Sequence, residues 1–77
     1  MTKKNDFWTG LSKNGEWSVR REGSSRVASV HETQSAAWNE ARRLARGAGG
    51  EAYLKGRDGK IRAQNTYAKD PNAKEGN

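Results

Sequence analysis

Thr33-Gln34-Ser35-Ala36-Ala37-Trp38-Asn39-Glu40-Ala41-Arg42-Arg43-Leu44-Ala45-Arg46-Gly47-Ala48-Gly49-Gly50 is the stretch that decides the fold. The Thr33 hydroxyl can accept from one of the free backbone N–H groups of a first helical turn, so Thr33 reads as an N-cap. Ala37, Ala41, Leu44, Ala45 and Ala48 then fall at helical spacing, with Trp38 beside them. Side chains this small let a helix lie close against a sheet. Arg42, Arg43 and Arg46 crowd the last turns, where cations suit the negative end of the helix dipole. Gly47 and Gly49-Gly50 end the element.

Upstream of the helix, three short runs read as strands. Phe7-Trp8-Thr9-Gly10-Leu11 precedes Asn14-Gly15, a dipeptide that supplies the positive φ angles of a tight hairpin turn. Trp17-Ser18-Val19-Arg20-Arg21 alternates, so Trp17 and Val19 should point inward and Ser18 and Arg20 outward. Arg26-Val27-Ala28-Ser29-Val30 follows the Glu22–Ser25 turn. Its two valines are three apart, which leaves its inward face ambiguous.

Downstream, Ala52-Tyr53-Leu54 and Ile61-Arg62-Ala63 alternate around a turn marked by Asp58-Gly59. Ala52, Leu54, Ile61 and Ala63 should face the core. Tyr53, Lys55, Lys60, Arg62 and Gln64 should face out. The expected fold class is α+β: an antiparallel sheet with one helix packed on a face, in the order β-β-β-α-β-β. One domain, 7–68, is expected between a flexible N-terminus, 1–6, and a flexible C-terminal tail, 69–77, both polar and rich in Lys, Asn, Asp and Gly.

The residues also resemble a bacterial family catalogued as domain of unknown function 2188. The resemblance is carried by Gly15-Glu16-Trp17-Ser18-Val19-Arg20-Arg21-Glu22-Gly23, by Thr33 with the Ala-rich helix and by Gly56-Arg57-Asp58-Gly59-Lys60-Ile61-Arg62. The ending from Asn65-Thr66-Tyr67 to Asp70-Pro71 completes it, so that about residues 7–71 are covered. Ala68 stands where the family favours Gly, and Trp38 where an aliphatic residue is usual. The resemblance implies a compact sheet-plus-helix domain of bacteria or their phages. It implies no activity and brings no catalytic residues.

Composition narrows the function. A chain of 77 residues buries only about 60–65% of the surface its unfolded form exposes. Apolar residues are 31% of the total and include three Trp, so a few large side chains must supply much of the core. No Cys is present to make a disulfide or a thiolate zinc site. The single histidine, His31, reads as a residue at the junction of strand and helix, with no nucleophile aimed at it by sequence alone. No motif spaces ligands for a metal, no glycine-rich loop precedes a helix to cradle phosphate, and no cofactor or small-molecule substrate is implied. The chain reads as no enzyme.

The first six residues lead into no apolar run that would make a signal peptide, and no stretch approaches the roughly 18–20 apolar residues of a membrane span. A cytoplasmic protein with no membrane partner is the expectation.

Fifteen Lys and Arg against nine Asp and Glu give a net charge of +6. Residues 7–68 carry eleven of those cations and six of the anions, so the charge belongs to the folded body. Such a body favours polyanions through counterion release. The expected outer sheet face gathers Arg20, Lys55, Lys60 and Arg62 around Tyr53, with Ser18 and Gln64 beside them, as sequence-tolerant single-strand binders do. Arg42, Arg43 and Arg46 could add backbone contacts. The expected function is therefore low-specificity association with DNA or RNA. The alternative is a protein-interaction module, such as a phage or mobile-element factor acting on a host protein or a homodimeric accessory protein, anchored by Trp8 or Trp38 if either is exposed.

Overall fold

The computed structural model describes residues 5–67. It contains β1 (Phe7–Leu11), β2 (Trp17–Arg21), β3 (Val27–His31), α1 (Gln34–Ala48), β4 (Glu51–Lys55) and β5 (Ile61–Thr66). The expected order β-β-β-α-β-β is the one observed. The expected tail, 69–77, and residues 1–4 of the expected flexible N-terminus lie outside the described residues.

The five strands form one sheet in the order β3-β2-β1-β4-β5. The sheet is mixed rather than purely antiparallel, because β1 and β4 run parallel, with Trp8 level with Tyr53. The helix explains this. β3 points the same way as β1, α1 carries the chain back across the sheet, and the next strand must then run parallel to β1.

Local chemistry sets the ends of α1. The Thr33 hydroxyl accepts from the Ala36 N–H at 3.1 Å, and Gly49 closes the helix in the left-handed region at φ 74°. In the hairpin turns only the glycines take positive φ, 87° at Gly15 and 82° at Gly59, while Asn14 and Asp58 stay at negative φ. The tight turn expected at Asn14-Gly15 is closed by the Gly15 N–H donating to the Ser12 carbonyl at 3.1 Å, with positive φ at the glycine alone.

Ala37, Ala41 and Ala45 are wholly buried against Phe7, Trp17, Val19 and Ala52, with Leu44, Ala48 and Tyr67 packed around them. Small helix residues thus face large sheet residues. Thr9 sits in this layer beside Val19 and Leu54, fully buried, and its hydroxyl has no hydrogen-bond partner among the described residues. An orphaned hydroxyl in an apolar layer costs free energy. Thr9→Val keeps the shape and removes the hydroxyl, so we expect it to stabilise the fold by about 1 kcal/mol in chemical denaturation.

Three expectations about where side chains lie are corrected by the backbone. Asp6, assigned to the flexible N-terminus, is buried, and its Oδ1 accepts from the Glu51 N–H at 3.0 Å. A register shift at Leu54/Lys55 places Ile61 opposite Lys55, so Ile61, expected in the core, is 53% exposed. The same bulge takes Arg62 off the outer face. It sits instead by Trp17, Thr33 and Leu54 at the start of α1, paired with Asp58 at 3.0 Å. A second bulge, at Val19/Arg20, settles the ambiguous strand. Val27 lies opposite Arg20 and Val30 opposite Ser18, so both valines belong to the face that α1 leaves uncovered.

Candidate functional site

The helix covers one face of the sheet, and the site lies on the other. Strand alternation sends Phe7, Thr9 and Leu11 toward α1 and therefore turns Trp8 and Gly10 outward. Trp8 meets Tyr53 across the parallel β1–β4 pair. Their rings are stacked, with centroids 4.1 Å apart and planes 14° from parallel. Rings this close on neighbouring strands stand edge-up on the sheet, each with one face against the other.

Carboxylates hold the pair in place. The Trp8 Nε1–H donates to Glu22 at 2.6 Å, and the Tyr53 hydroxyl donates to Glu51 Oε1 at 2.7 Å. The Gln64 amide donates to that same Glu51 oxygen at 2.6 Å. The bond to Glu51, with burial and the carboxylate's charge behind it, pushes the Tyr53 phenol up to about 12. Because the folded state holds this proton more tightly, the associated stability is complete below about pH 10 and is lost as pH rises through about 12. Phenolate absorbance read immediately after an alkaline pH jump should show a transition near 12 that Tyr53→Phe abolishes. Glu51→Gln should move it back toward 10.

On the other side of Trp8 the sheet is hollow. Gly10 has no side chain to fill its position, and Ser18 is its partner on β2. Lys55 leans across, with Nζ 5.2 Å from the Trp8 ring centroid. Arg20, directly opposite Trp8, is exposed and makes no ion pair with a described residue. Together they bound an open groove of about 620 Å³. Arg20 and Lys55 bring their cations to it and Glu22 the one carboxylate. Arg21 and Arg57 also border it, but Arg21 is level with Phe7 and the Arg57 guanidinium lies over Trp17, 5.8 Å from the ring centroid, on the helix side.

Of the cations expected on the outer face, Arg20 and Lys55 are brought together with Tyr53. Lys60 lies exposed in the β4–β5 turn outside the groove lining, and Arg62 has moved to the helix side. Arg42, Arg43 and Arg46 belong to α1, on the opposite side of the sheet. Arg43 is engaged there by Glu40 through two contacts of 2.9 and 2.6 Å, which hold the Glu40 carboxyl below the usual range. Arg42 lies over Trp38, 5.3 Å from the ring centroid, and donates to Asn39. Trp38 itself is half-buried against the core.

Sequence reasoning missed Glu22 and Gly10, and it left the side of Trp8 open. The signal for Gly10 was its i+2 spacing from Trp8. It also missed a contact on the helix side of β3, where the Ser29 hydroxyl and His31 Nε2 are 2.8 Å apart. Neither residue lines the groove. Among the described residues no three His, Cys, Asp or Glu side chains gather to hold a metal ion. No described helix is long and apolar enough to cross a membrane.

A family model described as "Uncharacterized protein conserved in bacteria (DUF2188)" matches residues 7–67, a span that takes in all five strands and the helix. No curated protein and no solved structure matches the chain.

Proposed function

The chain belongs to the DUF2188 family of uncharacterized bacterial proteins, and from that premise we propose that it is a non-catalytic, cytoplasmic nucleic-acid-binding protein. Its open sheet face holds the phosphate backbone through Arg20 and Lys55. One observation carries the reading: a groove bounded by Arg20 and Lys55 opens beside an aromatic pair on the uncovered face of the sheet. Clustered cations release counterions from a polyanion, and aromatic rings among them suit unpaired bases. The +6 net charge draws the partner in from a distance.

Fluorescence anisotropy of labelled DNA and RNA oligonucleotides tests this. Two to four phosphate contacts to a single strand imply an affinity that falls about seven- to fiftyfold between roughly 50 and 200 mM salt. Micromolar binding with that slope supports the reading. An affinity indifferent to salt, or none at the lower salt, contradicts it.

A second reading rests on a different feature. β3 is an edge strand, and its Val27 and Val30 are 42% and 49% exposed. An apolar edge of this kind suits strand addition by a protein partner. A partner bound there would be lost on Val30→Lys and insensitive to Lys55→Glu.

A further inference from the structure

We infer that the hollow beside Trp8 is a slot for one unpaired nucleobase, so that this face takes a single strand in preference to a duplex. The inference rests on the nucleic-acid reading above and specifies its ligand. Trp8 has one ring face committed to Tyr53, at 4.1 Å. Beside it, Gly10, Ser18 and Arg20 border the same groove as the indole, with no side chain at Gly10. The flexible Lys55 side chain crosses this space, its Cδ 4.0 Å from where a Gly10 Cβ would stand and its Nζ 5.2 Å from the indole centroid.

A planar base entering this space would stack on the indole and displace the Lys55 ammonium toward a phosphate. Arg20, on the opposite wall, would meet the neighbouring phosphate. Glu22 fixes the indole edge through the 2.6 Å bond from Nε1, so the ring is already oriented before a base arrives. A base paired within a duplex cannot present its face to an upright ring.

The test compares three labelled probes of equal length: a single strand, the same strand with its interior bases removed, and a duplex. The base-bearing single strand should bind at least about tenfold more tightly than the abasic strand, a ratio within the range for one stacked base. Gly10→Val fills the slot while leaving every charge in place. A Cβ at Gly10 has as its nearest neighbour Lys55 Cδ, at 4.0 Å, the flexible stem of a side chain rather than backbone. Gly10→Val and Trp8→Leu should each reduce binding of the base-bearing strand to the abasic level and leave abasic binding unchanged. Base-bearing and abasic strands that bind equally would overturn the slot while leaving the phosphate contacts intact. Failure of all three probes to bind would overturn the slot together with the nucleic-acid reading.

Discussion

Gly50→Ala is expected to destabilise the protein by about 3 kcal/mol or more and to lower Tm by about 12–24 °C. Gly50 is buried at the point where the chain leaves α1 and starts β4. A Cβ there would overlap the Asn5 backbone carbonyl oxygen, far inside van der Waals contact. That backbone cannot step aside without cost. The next residue, Asp6, accepts the Glu51 N–H on its carboxylate, and its carbonyl accepts from the Glu22 N–H at 2.8 Å. The Gly50 carbonyl in turn accepts from the Tyr67 N–H at 2.8 Å, so a shift would loosen the edges of β1, β4 and β5 together. Gly47→Ala is the matched control. Gly47 lies within α1, and a Cβ there meets nothing within 4 Å. Alanine should stabilise the helix at that position by about 0.5–1 kcal/mol. Two glycines three residues apart should thus respond to the same substitution with opposite signs, read by thermal denaturation followed by circular dichroism.

Arg20→Glu combined with Lys55→Glu should weaken oligonucleotide binding by about ten- to hundredfold, whereas Arg43→Glu with Arg46→Glu should weaken it by no more than about threefold. Each pair takes the formal net charge from +6 to +2, so a response to overall charge alone would be the same for both. The sheet pair removes two phosphate contacts and places carboxylates beside Trp8. The helix pair sits on the other side of the molecule, where salt with a Debye length of about 8 Å screens its influence on the groove. Arg43 is in any case engaged by Glu40. The salt slope should separate them as well, shallower for the sheet pair and nearly unchanged for the helix pair.

What could be read from the sequence follows the range of the interaction concerned. The helix was legible because Thr33, the alanine spacing and Gly49 act within a few residues of one another. The hairpins were legible for the same reason. The parallel β1–β4 pairing was not, since Trp8 and Tyr53 meet only after the whole fold has closed. Bulges account for the misplaced side chains. Simple alternation puts Ile61 in and Arg62 out, and one extra residue at Leu54/Lys55 reverses both. Trp8 was ambiguous because Phe7 beside it is equally apolar, and only the position of the helix decides which of the two is buried. The basic character of the outer face was legible through Arg20, Lys55 and Tyr53. Its aromatic partner and the hollow at Gly10 required the sheet.

The most direct test of the account is to titrate the isotopically labelled protein with a short single-stranded oligonucleotide and follow amide and indole resonances. The account expects the largest shifts at the Trp8 indole N–H and at the amides of Gly10, Ser18, Arg20, Tyr53 and Lys55, with α1 little affected. Shifts centred on Arg42, Arg43 and Arg46, or on the β3 edge at Val27 and Val30, would contradict it, as would a spectrum that the oligonucleotide leaves unchanged.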